Sequence, residues 1–133
     1  MFWLSAARKQ RLIVLIGFAG GALLTVIGIR YFLVPERAAV TFGVPARPEG
    51  YELYYLIGLR NVWLGLLAAA LALLREWRAL ALWFALGTFV CFADACIAAT
   101  STGLWPQVAF HGGCSLACVG LAVGCWRLAA RPC

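Results

Sequence analysis

Arg30, Arg60, Asp94 and His111 each stand inside a different long apolar stretch of this 133-residue chain. Hydrocarbon tolerates ionisable groups poorly, so such residues face a bundle interior or a wet cavity, pair with one another and mark a site. At the rise of a helix, all four fall roughly 8–12 Å inside the same membrane boundary. Four helices delivering two guanidiniums, a carboxylate and an imidazole to one layer would build a polar chamber in one half of a bundle. Asp94 and His111 are the candidate catalytic pair, the carboxylate as proton carrier and the imidazole as an acid/base group that titrates near neutrality in water. Arg60 is the candidate holder of an anionic or oxygen-bearing ligand end. Each has a plainer role. Arg60 and Asp94 can form a buried ion pair that fixes helix register, His111 can hydrogen-bond a neighbouring helix, and Arg30 can snorkel to headgroups.

The local faces extend the candidate site. Gln107, His111, Cys114 and Cys118 recur at helical spacing, with Ser115 on the shoulder of that stripe. Gly87, Cys91, Asp94 and Ala98 make a face of small residues that leaves space beside the carboxylate, and Glu52, Tyr54 and Tyr55 lie at the mouth. The expected ligand-binding residues are therefore Arg60, Asn61, Arg30, Gln107 and Ser115. No metal site is expected, since one His, one Asp and thiols at no recognised ligand spacing fall short of a closed shell. No cofactor is expected either.

The elements that would position these residues follow from hydropathy. The chain is 65% hydrophobic and 12% charged, and the apolar excess lies in runs of membrane-spanning length. Spans are expected at about 12–33, 53–74, 79–100 and 106–126. The chain reads as one all-α domain over 1–133, an integral membrane four-helix bundle whose main partner is the lipid bilayer. Between spans one and two, Pro35 at a helix start, Glu36 in the first turn and Gly43 just past the end predict a short interfacial helix. Tyr31, Phe32 and Phe42 are expected near headgroup level. With the N-terminus inside, Arg8, Lys9, Arg11, Arg75, Arg78, Arg127 and Arg131 are cytoplasmic, against Arg37 and Arg47 outside. That asymmetry predicts N-in/C-in in a cell inner membrane, multi-pass.

The same features exclude other classes. A net charge of +6 could suggest nucleic acid, but the basic residues flank the spans instead of gathering on one face. The six cysteines form no C-x-x-C pair and read as small hydrophobes. The first apolar run is longer than a signal-peptide core and lacks a convincing cleavage site, so it reads as a retained span, and no lipidation motif is expected. Gly17-x-x-x-Gly21 and Gly120-x-x-x-Gly124 let backbones approach. They serve packing within the chain first, and are compatible with a homo-oligomer.

Gly28-Ile29-Arg30-Tyr31-Phe32 with Pro35, Ala38 and Phe42-Gly43-Val44-Pro45 resembles an uncharacterised family of small four-helix membrane proteins. Gly58-Leu59-Arg60-Asn61 with Leu64-Gly65-Leu66, followed by Asp94 and His111, carries the same resemblance over roughly residues 12–126. The overall plan is also similar to the broader DoxX-like group. The likeness implies a four-helix membrane fold and no activity. The residues themselves point first to a chamber that binds a small lipid-soluble or amphipathic molecule. A membrane isomerase or cyclase using Asp94 and His111, a small proton-coupled transporter and a structural or accessory subunit are the alternatives.

Overall fold

A computed structural model describes residues 6–46 and 50–130. Among them the regular structure is entirely helical: α1 Ala6–Leu33, α2 Pro35–Phe42, α3 Glu52–Leu74, α4 Trp77–Ser101 and α5 Trp105–Ala129. Four of these helices, all but α2, are long and apolar enough to cross a membrane. Their starts and ends lie within a few residues of the expected spans, apart from α1. It runs back to Ala6 because Arg8, Lys9 and Arg11 continue a helix readily. The turn between α3 and α4 is tight: Arg75 takes the left-handed conformation at φ 59° and caps α3 with its N–H on Ala72 O. Leu33, Leu74, Leu82, Phe89 and Leu116 stand well exposed, as lipid-facing side chains do.

The four spans are organised as two antiparallel pairs, α1 with α3 and α4 with α5. The α1–α3 seam is built from missing side chains. A Cβ on Gly28 would lie 2.7 Å from the Gly58 carbonyl oxygen, and one on Gly21 would lie 2.6 Å from that of Gly65. The buried residues of α3 are Tyr54, Gly58, Asn61, Gly65, Ala68 and Ala72. They alternate at spacings of four and three, the period of a seam that stays on one face of a helix. With no hydrophobic drive between helices in lipid, this close backbone approach is what dispersion and packing act on. Thr25 donates its hydroxyl to Gly21 O at 2.9 Å, which disposes of its polar group inside its own helix.

The pairs meet through two different cores. At the end holding the α3–α4 turn, Ala72, Leu80, Ala81, Phe84 and Cys125 are buried together, with Ile13 of α1 packed against them. All four spans contribute there. At the other end Tyr31, Ala38, Ala39 and Tyr54 form a second cluster from α1, α2 and α3 alone. α2 folds back over the bundle end there on its small residues Ala38 and Ala39. Tyr31, at 2% exposure, lies inside the fold. Phe42 is likewise drawn inward, with its ring 4.5 Å from that of His111.

Of the two small-residue pairs, Gly17 and Gly21 face Ala72 and Gly65, whereas Gly120 has nothing within 4 Å. Replacing Gly28 by alanine is expected to destabilise the protein by about 1–3 kcal/mol, because the added methyl meets backbone that cannot yield. Gly20→Ala is the matched control, since Gly20 also has nothing within 4 Å. Thermal unfolding in mild detergent should separate the two. Equal midpoints would mean that the seam is looser than these contacts require.

Candidate functional site

The end of α2 organises the polar residues. Pro35 opens the helix, and Gly43 closes it at φ 109°, a conformation that suits glycine. A Cβ on Gly43 would fall 2.8 Å from the Ala98 methyl and 3.1 Å from Gln107 Cβ, so α2 presses into the cleft between α4 and α5. A helix leaves its last carbonyls without partners in its own ladder. Two of these receive donors from the second pair: His111 Nε2 donates to Phe42 O at 3.0 Å, and Thr102 Oγ1 donates to Gly43 O at 3.0 Å. A carbonyl only accepts, so Nε2 carries the proton of His111. At the start of α3, the Tyr51 hydroxyl donates to Glu36 Oε1 at 2.6 Å and ties the front of α2 to the first pair. That hydrogen bond to Glu36, helped by desolvation and by the charge of the carboxylate, raises the Tyr51 pKa above its ordinary 10.0.

The expected site residues separate into three groups. Asp94 of α4 is half-buried and lies within electrostatic range of Arg60 and His111. Asp94, Arg60, Tyr54 and Arg30 all lie within electrostatic range of the buried Tyr31 phenol. Arg60 is exposed, however, and no N···O contact within 4.0 Å joins it to Asp94. The buried ion pair read from the sequence is not formed, because the long Arg60 side chain turns outward from the pair seam.

The second group is spent on packing. Ser115, buried, donates its hydroxyl to Thr88 O at 3.1 Å and pins α5 to α4. His111 is buried and held by Phe42 O, with the Phe42 and Phe110 rings against it. Arg30 reaches α2, where its Nη2 donates to Thr41 Oγ1 at 3.3 Å. The face of Gly87, Cys91 and Ala98 is filled rather than open: Cys118 Sγ lies 3.6 Å from a Cβ position on Gly87, and Gly43 sits against Ala98. The described cysteines are free thiols, and Cys133 lies outside the described residues, as do Arg47 and Arg131.

The third group has side-chain amides without hydrogen bonds. Gln107 Oε1 is sealed from solvent with no hydrogen-bond partner. Asn61, at 7% exposure, sits on the glycine seam, and its amide makes no hydrogen bond among the described residues. Glu52 and Tyr55 are exposed near the mouth, where Tyr55 stacks on Phe32 at 5.7 Å, while Tyr54 is buried. Tyr31 is the residue that sequence reasoning passed over. Its signal was present: Gly17, Gly21, Leu24, Gly28 and Tyr31 continue one alternation of four and three along α1.

The chain matches the model of a family described as a domain of unknown function (DUF4267) over residues 21–127. It belongs to that family. The match spans all four apolar helices, from the α1 seam glycines to the last turn of α5, and takes in every residue of the polar layer. No curated protein and no solved structure matches the chain, and the likeness to the DoxX-like group has no counterpart in these comparisons. Family membership and four spans make this a multi-pass membrane protein.

The Tyr51–Glu36 contact makes a pH prediction. The phenol donates only while protonated, and its folded-state pKa is raised. Its contribution is then fully present below the ordinary tyrosine value and is lost as pH climbs through the raised one. Tyr51→Phe should be less stable than wild type at pH 8, and the gap should close at strongly alkaline pH. A gap that stays constant with pH would assign the effect to lost packing instead.

Proposed function

We propose that this DUF4267 protein binds a small, oxygen-bearing, lipid-soluble molecule in the layer of Tyr31, Asn61, Asp94 and Gln107. The observation that carries this reading is the Gln107 side-chain oxygen, sealed from solvent with no hydrogen-bond partner. A buried polar group without a partner costs about 1–3 kcal/mol, and hydrocarbon offers it no water in exchange. Gln107 Oε1 requires a donor, and Asn61 offers both donor and acceptor. A ligand with a hydroxyl or amide head and an apolar body would satisfy both while keeping its remainder in lipid. Arg60 and Asp94, lacking a direct bond to each other, are available to its polar end.

Membrane isomerisation or cyclisation is the catalytic extension of this reading. In it Asp94 moves the proton, and His111, whose Nε2 is committed to Phe42 O, offers Nδ1. The structural-subunit reading is favoured by one observation: the His111 and Ser115 side chains are spent on joining helices. The proposed placement is N-in/C-in in an inner membrane. It follows from the basic residues at the starts of α1 and α4 and the end of α5, and it puts α2 and the polar layer in the outer half.

The test is mass spectrometry of small molecules retained by protein purified in mild detergent, comparing wild type with Asn61→Leu, Asp94→Asn and Ser115→Ala. A discrete molecule is expected in wild type and Ser115→Ala and reduced at least tenfold in Asn61→Leu. The leucine variant, relieved of its unpaired amide, should unfold no earlier than ligand-free wild type. Bulk lipid alone in every sample, with Asn61→Leu destabilised, would contradict binding and support the structural reading.

A further inference from the structure

Two guanidiniums line one open depression of about 420 Å³ at the α2 end of the bundle: Arg30 from the last turn of α1 and Arg37 from α2. Thr41 lines it as well, and its hydroxyl accepts from Arg30 Nη2 at 3.3 Å while donating to Arg37 O at 2.7 Å. This holds the Arg30 head toward α2 and leaves its other donors open. Among the described residues neither arginine has a carboxylate oxygen within 4.0 Å. Glu36, the one acid of the depression, has Oε1 occupied by the Tyr51 hydroxyl. Two cations less one anion leave a single positive charge, which matches one phosphodiester.

The surface below Arg30 is apolar. Leu23 and Val26 share its helical face at spacings of three and four toward the start of α1, and are 54% and 55% exposed. An anchored cation above an exposed apolar track has the form of a phospholipid. We propose that the depression binds the phosphodiester headgroup of an anionic phospholipid in the leaflet that holds α2. Arg30 and Arg37 grip the phosphate, and the Val26–Leu23 face takes an acyl chain. Guanidinium donors in a planar fork suit phosphate oxygens. This site lies on the outside of α2 and does not depend on the interior ligand site.

Native mass spectrometry of detergent-purified protein titrated with dioleoyl phosphatidylglycerol, dioleoyl phosphatidylcholine or soluble glycerophosphoglycerol tests the proposal. Phosphatidylglycerol should be retained preferentially, because the choline cation cancels the charge that the arginines read. Each arginine near a headgroup strengthens binding about fivefold, so Arg37→Gln and Arg30→Gln should each reduce the preference by that factor. Both variants should keep the helical content of wild type; if Arg30→Gln does not fold, the exposed Arg37 decides alone. Equal retention of the two lipids, or a preference unchanged in Arg37→Gln, would overturn the site. Displacement of phosphatidylglycerol by an equal concentration of glycerophosphoglycerol would overturn the lipid as its source, leaving a site for a free phosphodiester.

Discussion

The carbonyls at the end of α2 must find donors, and the arrangement of that whole end of the bundle follows from where they find them. α2 hangs between α1 and α3, yet its closing carbonyls, Phe42 O and Gly43 O, are met by His111 and Thr102 from the other pair. A short helix at a membrane boundary has limited access to water, so these bonds are costly to leave unmade. They stitch together two helix pairs that otherwise share a core only at the opposite end. Gly43 makes the stitch sterically feasible, since any side chain there would meet Ala98 and Gln107.

Between the two points of attachment the pairs are held, not fused. The α1–α3 seam closes on glycines, while α4 and α5 close on Ser115 and the small thiols. The polar layer lies near the junction of these systems and the α2 strap. Arg60 and Asp94 form no salt bridge there, each being fixed by its own helix. Arg60 is exposed, and Asp94 feels its charge across a distance. A direct pair would have stiffened the layer.

Much of this was legible from hydropathy. The four spans and the short helix with its Pro start and Gly stop followed from spacing and hydropathy. Helix rotation was not, because each span is apolar on nearly every face and the solvent it meets is itself apolar. The seam had to be read from small residues instead, and that period, running through Asn61 on α3 and Tyr31 on α1, was passed over. His111 was also ambiguous in principle. Whether an imidazole serves a backbone carbonyl or a substrate depends on what a distant segment places beside it, and Phe42 lies 69 residues away in sequence.

The most direct measurement is the state of His111 in lipid bilayers by solid-state NMR. The chain has a single histidine, so its ring nitrogens give one unambiguous set of signals. Phe42–Gly43 is the sole Phe-Gly step, so the Phe42 carbonyl can be selected through the Gly43 amide. The account predicts a ring protonated at Nε2, with a dipolar contact from that nitrogen to the Phe42 carbonyl carbon. A ring protonated at Nδ1 alone, or no contact to Phe42, would mean that α2 does not strap the two pairs together.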